Sequence, residues 1–354
     1  MLKKLSVLLL VLALVSVCPG VPAEEPASPE RTVHADLLLT VDYGDQVTYV
    51  IGHKSPDADT VGSAIAYAGL LQQLGISAKA AVAGPVNQET KYALDLFGID
   101  QPEVLSDAAG KQFVLVDHSE YTQALDGMRS ARIVGVVDHH GIGDIRNTER
   151  IVVWSLPAGA TASIVWSAYQ ACDVEISREM ARAMLFALLS DTKNMTSMNV
   201  TKLDREAYAD LNAIAAVDDV AGLYDAMKAA KSAYTGMTPT EIFYDDYKEY
   251  IVGEYTFGIG DVFADSEESI LTLSERIEAE FPKIYASSKM DMLFCLVSTE
   301  NRTRMIWCGD GAEALVRAAF PDYDGSGSLI FEPKAPRKSK VVPPLTRALE
   351  EKQK

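Results

Sequence analysis

From Val47 onward, short apolar runs alternate with longer stretches whose apolar positions recur every three or four residues. The short runs are "VTYVIG" (47–52), "AKAAVAG" (78–84), "FVLVDH" (113–118) and "RIVGVVDHH" (132–140), mostly rich in β-branched side chains. Runs of that length and composition fit buried strands. The longer period predicts helices over Val61–Leu74, Glu89–Phe97, Ala162–Ala171, Arg178–Leu189 and Leu203–Ala216. Strand and helix in alternation predict an α/β fold, a parallel sheet with helices on both faces.

The texture changes near Lys231. "KSAYTGMTPTEIFYDD" mixes Gly, Pro and polar residues, which predicts a linker over 231–245. Strand-like runs follow at Tyr255–Ile259, Met292–Val297 and Arg304–Trp307, with helices over Glu268–Phe281 and Ala312–Phe320. The chain thus divides into a first domain over 47–230 and a smaller α/β domain over 246–346. There is no internal repeat and no long low-complexity block.

The N-terminus follows a different pattern. Lys3 and Lys4 precede the 13-residue run "LSVLLLVLALVSV" (5–17), and "VPA" ends at Ala23. A positive start, a short apolar run and small residues at the cut predict a signal peptide over 1–23 and export to a periplasmic or extracellular location. The run is short for a membrane span, so no stable span is expected after cleavage. An uncleaved anchor is the competing reading. A lipoprotein would need a small residue before Cys18, where Val17 stands. Residues 24–46, with "EEPASPE" near their start, read as a flexible leader.

Composition narrows the function. The chain has 354 residues, 48% of them apolar, enough for two packed domains. Its net charge of −18 argues against electrostatic binding of nucleic acid or anionic lipid. An anionic substrate would need a local positive site. The densest basic cluster lies in the tail, at Lys334, Arg337, Lys338 and Lys340. Of four cysteines, Cys18 would leave with the signal and Cys172 reads as a small buried hydrophobe. A hairpin turning at Asn301-Arg302 would set Cys295 opposite Cys308 and permit a disulfide; one slip in register removes it.

The candidate chemistry lies at the strand ends. His34 falls in the leader, but His53, His118, His139 and His140 each sit at or just past the end of a predicted strand. Each lies beside or near Asp57, Asp59, Asp117 or Asp138. In an open parallel sheet the strand carboxyl ends line one edge, where ligands bind. Asp191 ends an apolar helical run and would join them. Any single Asp at a strand end also reads as a helix cap; recurrence at several ends weakens that reading. Carboxylates with imidazoles suit Mn²⁺, Co²⁺ or Mg²⁺, and no Cys-x-x-Cys pair offers a zinc site. Two divalent ions held by four aspartates would nearly cancel in charge, admit a phosphate and acidify a bridging water.

"GHKSPDAD" (52–59) resembles the first motif of the DHH phosphoesterases, and "VVDHH" (136–140) contains the triplet that names them. Within that superfamily the chain resembles the family II, manganese-dependent inorganic pyrophosphatases. "LLSDTKNMTS" is similar to their fourth motif and "PRKSKVVPPLT" to their C-terminal Ser-Arg-Lys-Lys-Gln signature. The resemblance implies an N-terminal DHH domain and a DHHA2-like domain that closes over pyrophosphate. It implies that His53 and Asp57 bind one metal, that Asp59, His139 and Asp191 bind another, and that Asp117 bridges them. It gives His140, Lys248, Arg337 and Lys338 the substrate, and it implies homodimers paired through the first domains. Read from the residues alone, Lys248 in "YDDYKEY" fits a surface lysine. Several positions depart from the family: Ser119 stands for Asn, Asp261 for Gln, and Pro336, Ser339 and Lys340 alter the signature. These departures bear on substrate length, so an exopolyphosphatase of the same superfamily stays open. A silent phosphate- or metal-binding protein is the reading from another class.

Overall fold

The computed structural model describes residues 32–147, 149–234 and 236–353. The expected signal peptide over 1–23 lies outside them. Helix α1 (Val33–Leu39) comes first, within the expected leader. Thr32 caps it and donates its hydroxyl to the Ala171 carbonyl, while Ala35 and Leu38 are buried. The amphipathic "VHADLLL" thus folds onto the first domain, and the leader expectation is corrected there.

The first domain then runs β1 (Thr48–Ile51), α2 (Ala58–Gln73), β2 (Ala78–Val82), α3 (Gln88–Phe97), β3 (Glu103–Val104), β4 (Gln112–Val116), β5 (Arg132–Asp138), β6 (Val152–Ser155), α4 (Thr161–Cys172), α5 (Arg178–Asp191), α6 (Lys202–Ala215) and α7 (Val220–Ala233). Its six strands pair in parallel in the order β3-β2-β1-β4-β5-β6. The order reverses between β1 and β4, which opens a crevice at their carboxyl ends. The helices pack on one face in a single large core. Connecting segments close the other face, with Leu105, Ala108, Ala124, Leu125 and Met128 packed on Ile51, Phe113 and Leu115. Gly127, with a φ of 80°, leads into a single 3-10 turn over Met128–Ser130 in the β4–β5 connection.

The stretch expected as a linker, 231–245, holds the last turn of α7 and all of α8 (Pro239–Asp245). Thr238 and Glu241 form a capping box there, and Pro239 opens the helix. The second sheet comprises β7 (Tyr247–Val252), β8 (Tyr255–Phe263), β9 (Met292–Ser298), β10 (Thr303–Cys308) and β11 (Leu329–Phe331), with α9 (Glu267–Ser287) and α10 (Ala312–Ala319) between strands and α11 (Val342–Lys352) last. The strand order is β11-β10-β9-β8-β7; β8 and β9 are parallel and the other pairs antiparallel. Apolar cores cover both faces of this sheet.

The β9–β10 hairpin corrects the cysteine expectation. Ser298 pairs with Thr303, so Cys295 lies opposite Ile306 and Cys308 opposite Leu293. Moving the turn back by one residue shifts the pairing by two. Cys172, Cys295 and Cys308 are free thiols.

Candidate active site

Three of the expected site residues, His53, Asp57 and Asp59, follow β1 in the turn into α2. Gly52 is required there, because a Cβ at that position would lie 2.2 Å from the Thr60 methyl. That closeness brings the first turn of α2 up against the strand end. Asp57 caps α2, accepting from the Thr60 amide at 3.0 Å. His53 is buried, with Nε2 3.2 Å from Asp57 Oδ2 and 3.3 Å from Asp117 Oδ2.

Asp117 follows β4 with a φ of 60°, an uncommon conformation for a residue with a Cβ. Its two oxygens are separately held. Thr60 donates to Oδ2 at 2.9 Å and Thr161 to Oδ1 at 3.2 Å. From the end of β5, His139 places Nε2 3.3 Å from Asp117 Oδ1 and 3.7 Å from Asp191 Oδ2. Its Nδ1 lies 3.0 Å from the Ala158 carbonyl, which fixes the ring with Nε2 inward. Asp59 accepts from the Thr161 and Ala162 amides at 2.6 and 2.9 Å, so the α2 carboxylate caps α4.

The structure gathers all six expected metal ligands into two compact groups. His53, Asp57 and Asp117 form one; Asp59, His139 and Asp191 form the other. Asp117 turns one oxygen toward each, and it also groups with His139 and His140. His118 joins no group. Its Nδ1 meets the Val116 carbonyl, and burial lowers its pKa to about 4.

The electrostatics fit a cation-binding centre. Burial disfavours charge throughout. Even so, the neighbouring imidazoles of His139, His53 and His140 hold Asp117 well below the usual carboxylate range. His53 overrides burial to keep Asp57 at about 2. Burial raises Asp59 well above its ordinary value, as do the charges of Asp117 and Asp191. Burial, then Asp57 and Asp117, raises Asp191 to about 7. Against its own burial, His139 is raised to about 10 by Asp117, Asp59 and Asp191. Divalent cations would relieve this crowding of carboxylates, and the buried His139 Nε2 has no hydrogen-bond partner. The donor set of carboxylates and imidazoles suits manganese.

The second domain brings three cations to this edge by different routes. Lys248 on β7 is buried, not a surface lysine, with Nζ 3.4 Å from His53 Nε2. Lys338 meets His140 Nε2, while His140 Nδ1 lies 2.9 Å from Asp138 Oδ1. Arg337 is buried against Asp246. Ser55 donates to the Tyr247 carbonyl at 2.5 Å and pins the first-domain turn to β7. Two of the altered family positions differ in their surroundings. Ser119 accepts from the Gly143 amide and holds the loop after the His pair, and Lys340 is exposed. Sequence reasoning missed Thr60, Thr161 and Asp246, because nothing local marks a hydroxyl or carboxylate whose partner lies 44 to 91 residues away.

A parallel sheet with paired acidic groups at its switch point, and cations brought from a second domain, suits divalent-metal chemistry on a phosphate ester or anhydride. The DHH family's N-terminal domain matches residues 47–188 and the DHHA2 domain matches 225–348. The chain is 36% identical over 304 residues to the manganese-dependent inorganic pyrophosphatase of Methanothrix thermoacetophila, covering 85% of this chain and 97% of that protein. A counterpart assigned to the same family in Archaeoglobus fulgidus is 33% identical over 321 residues, covering 87% and 99%. A Methanococcus jannaschii structure assigned to the family II inorganic pyrophosphatases superposes with a TM-score of 0.76 at 30% identity, covering 86% and 99%. The chain belongs to the manganese-dependent inorganic pyrophosphatase family. No helix among the described residues is long and apolar enough to cross a membrane.

Proposed function

We propose that this chain hydrolyses inorganic pyrophosphate to two phosphates at a two-metal centre. The observation that carries the reading is the Asp117 carboxylate, with one oxygen facing each ligand group. His53 and Asp57 would hold one manganese, Asp59, His139 and Asp191 the other, and Asp117 would be shared. Bound there, two divalent ions would supply Lewis acidity and a water acidic enough to attack phosphorus.

The remaining side chains act on the substrate. Lys248, Arg337 and Lys338 bind the phosphate oxygens and offset their charge as the bridging P–O bond breaks. Asp138 orients His140 through Nδ1, so that Nε2 is left to hydrogen-bond a phosphate oxygen. Thr60 and Thr161 orient Asp117. The test is phosphate release from pyrophosphate, tripolyphosphate and long polyphosphate by the manganese-loaded protein. Turnover fastest on pyrophosphate supports the reading. Preference for long chains favours the polyphosphatase, and no turnover on any of them favours a binding protein.

Export and self-association extend the proposal. The Lys3/Lys4 start and the apolar run at 5–17 support cleavage near Ala23. N-terminal sequencing of native protein should begin at or near Glu24; a cytoplasmic chain retaining Met1 or Leu2 contradicts export. The family resemblance supports a homodimer, read by light scattering as twice the chain mass.

A further inference from the structure

Arg337 is held in a way that leaves only part of its guanidinium free. Nη1 donates to the Asp246 carbonyl at 2.9 Å and to the Ile259 carbonyl at 3.2 Å. Nη2 donates to Asp246 Oδ1 at 2.6 Å. Nη1 therefore spends both of its hydrogens. Asp246, through its carbonyl and its carboxylate, takes the end edge that joins Nη1 and Nη2. The side edge, formed by Nε–H and the second Nη2 hydrogen, remains. Nε is buried and has no partner. A buried, charged donor pair of this spacing matches two oxygens of one phosphate.

The neighbours place Arg337 beside the site. Asp246 immediately precedes β7 in extended backbone and Lys248 lies two residues on, so they lean to the same side, and Lys248 reaches His53. Lys338, next to Arg337, reaches His140. Asp246 is also tied to the first domain. Lys231 on α7 lies 4.0 Å from its carboxylate and 3.6 Å from that of Glu89 on α3. The chain Glu89–Lys231–Asp246–Arg337 spans both domains.

We infer that Asp246 is a positioning residue for the substrate: it grips Arg337 by the end edge and presents the Nε/Nη2 edge to a pyrophosphate phosphate group. The inference rests on the reading of Arg337 as a substrate-binding residue. Without Asp246 the guanidinium is free to rotate, and the bidentate contact must be organised at the moment of binding. The loss then falls mainly on KM.

The test is a double-mutant cycle on the manganese-loaded full chain, with metal content measured for each variant. Asp246→Ala should lower kcat/KM about 10-fold, mostly through KM, at unchanged metal content. Asp246→Asn keeps an Oδ1 acceptor and should lose less; it carries the cycle if the alanine variant does not fold. In an Arg337→Ala background neither change should lower kcat/KM further. If Arg337→Ala is damaging while both Asp246 variants match the parent, or if their effects are undiminished in that background, the positioning role is overturned and the clamp stands. If Arg337→Ala itself matches the parent, the clamp reading falls and this inference falls with it.

Discussion

Asp117 concentrates the demands on this site. A residue with a Cβ held at a φ of 60° costs on the order of 1–3 kcal/mol. Thr60, Thr161, His53 and His139 all point at its carboxylate, and their contacts offset that cost. Asp117→Ala removes the oxygen facing each ligand group. Turnover should fall by roughly 10⁴-fold and bound manganese should drop below the parent's. Near-parental activity at full metal content contradicts the shared-ligand assignment. The six candidate ligands were legible because they gather at or soon after the ends of apolar runs, in the recurring His and Asp motifs that sequence alone marks. Thr161 was not, because its hydroxyl acquires a role only when α4 is docked on the strand ends. From the residues alone Lys248 fits a surface lysine, and only the family resemblance gave it to the substrate, because β7 is half-exposed and its charged run hides the strand.

Element packing sets where those residues stand. A Cβ on Gly62 would lie 2.3 Å from the Ala183 carbonyl and 2.7 Å from the Ala187 methyl, so α2 and α5 touch backbone to backbone. Asp57 and Asp59 ride on the start of α2, and Asp191 on the end of α5. Gly62→Val should therefore destabilise the fold by about 1–3 kcal/mol and weaken manganese binding together, read by urea denaturation and metal titration. Asp204 performs a second piece of this placement. It is fully buried and accepts from the Gly159 amide, the Ser163 hydroxyl and Thr201, tying α6 to the start of α4. Burial opposes its charge, but those hydrogen bonds hold its carboxyl below the usual value. A lowered folded-state pKa gives stability that is present above the unfolded value, about 3.9, and is lost as pH falls through the lower folded value. Asp204→Asn should cost about 2 kcal/mol at pH 7. Its deficit should shrink toward acid, below about pH 4, because the parent loses there what the variant already lacks; a deficit constant with pH contradicts this account. The buried strands β1, β2, β4 and β5 were legible as continuous apolar runs. The edges β3, β6 and β11 are short and partly exposed, so they carry little pattern, and the β9–β10 register turned on a single turn position.

At the scale of the whole molecule, the acids come from one domain and the cations from the other, so the site exists only when the two meet. Lys228 on α7 pairs with Glu300 in the β9–β10 turn at 2.8 Å, and Ser55 reaches β7; these contacts hold the meeting. Two domains were legible from the change of texture near Lys231. Which of the tail's cations would face the site was legible only through the family resemblance, because the cluster divides on folding: Arg337 is buried, whereas Lys340 is exposed. Arg337→Ala should lower kcat/KM by about 10²-fold with metal content near the parent's, and Lys340→Ala should cost far less. Equal losses in steady-state kinetics contradict the assignment of Arg337 to the substrate. The central claim is the metal pair itself. Anomalous diffraction at the manganese edge, from crystals of this chain grown with Mn²⁺, tests it directly. The account predicts two peaks on either side of the Asp117 carboxylate, one against His53 and Asp57, the other against Asp59, His139 and Asp191. A single peak, or peaks away from Asp117, contradicts it.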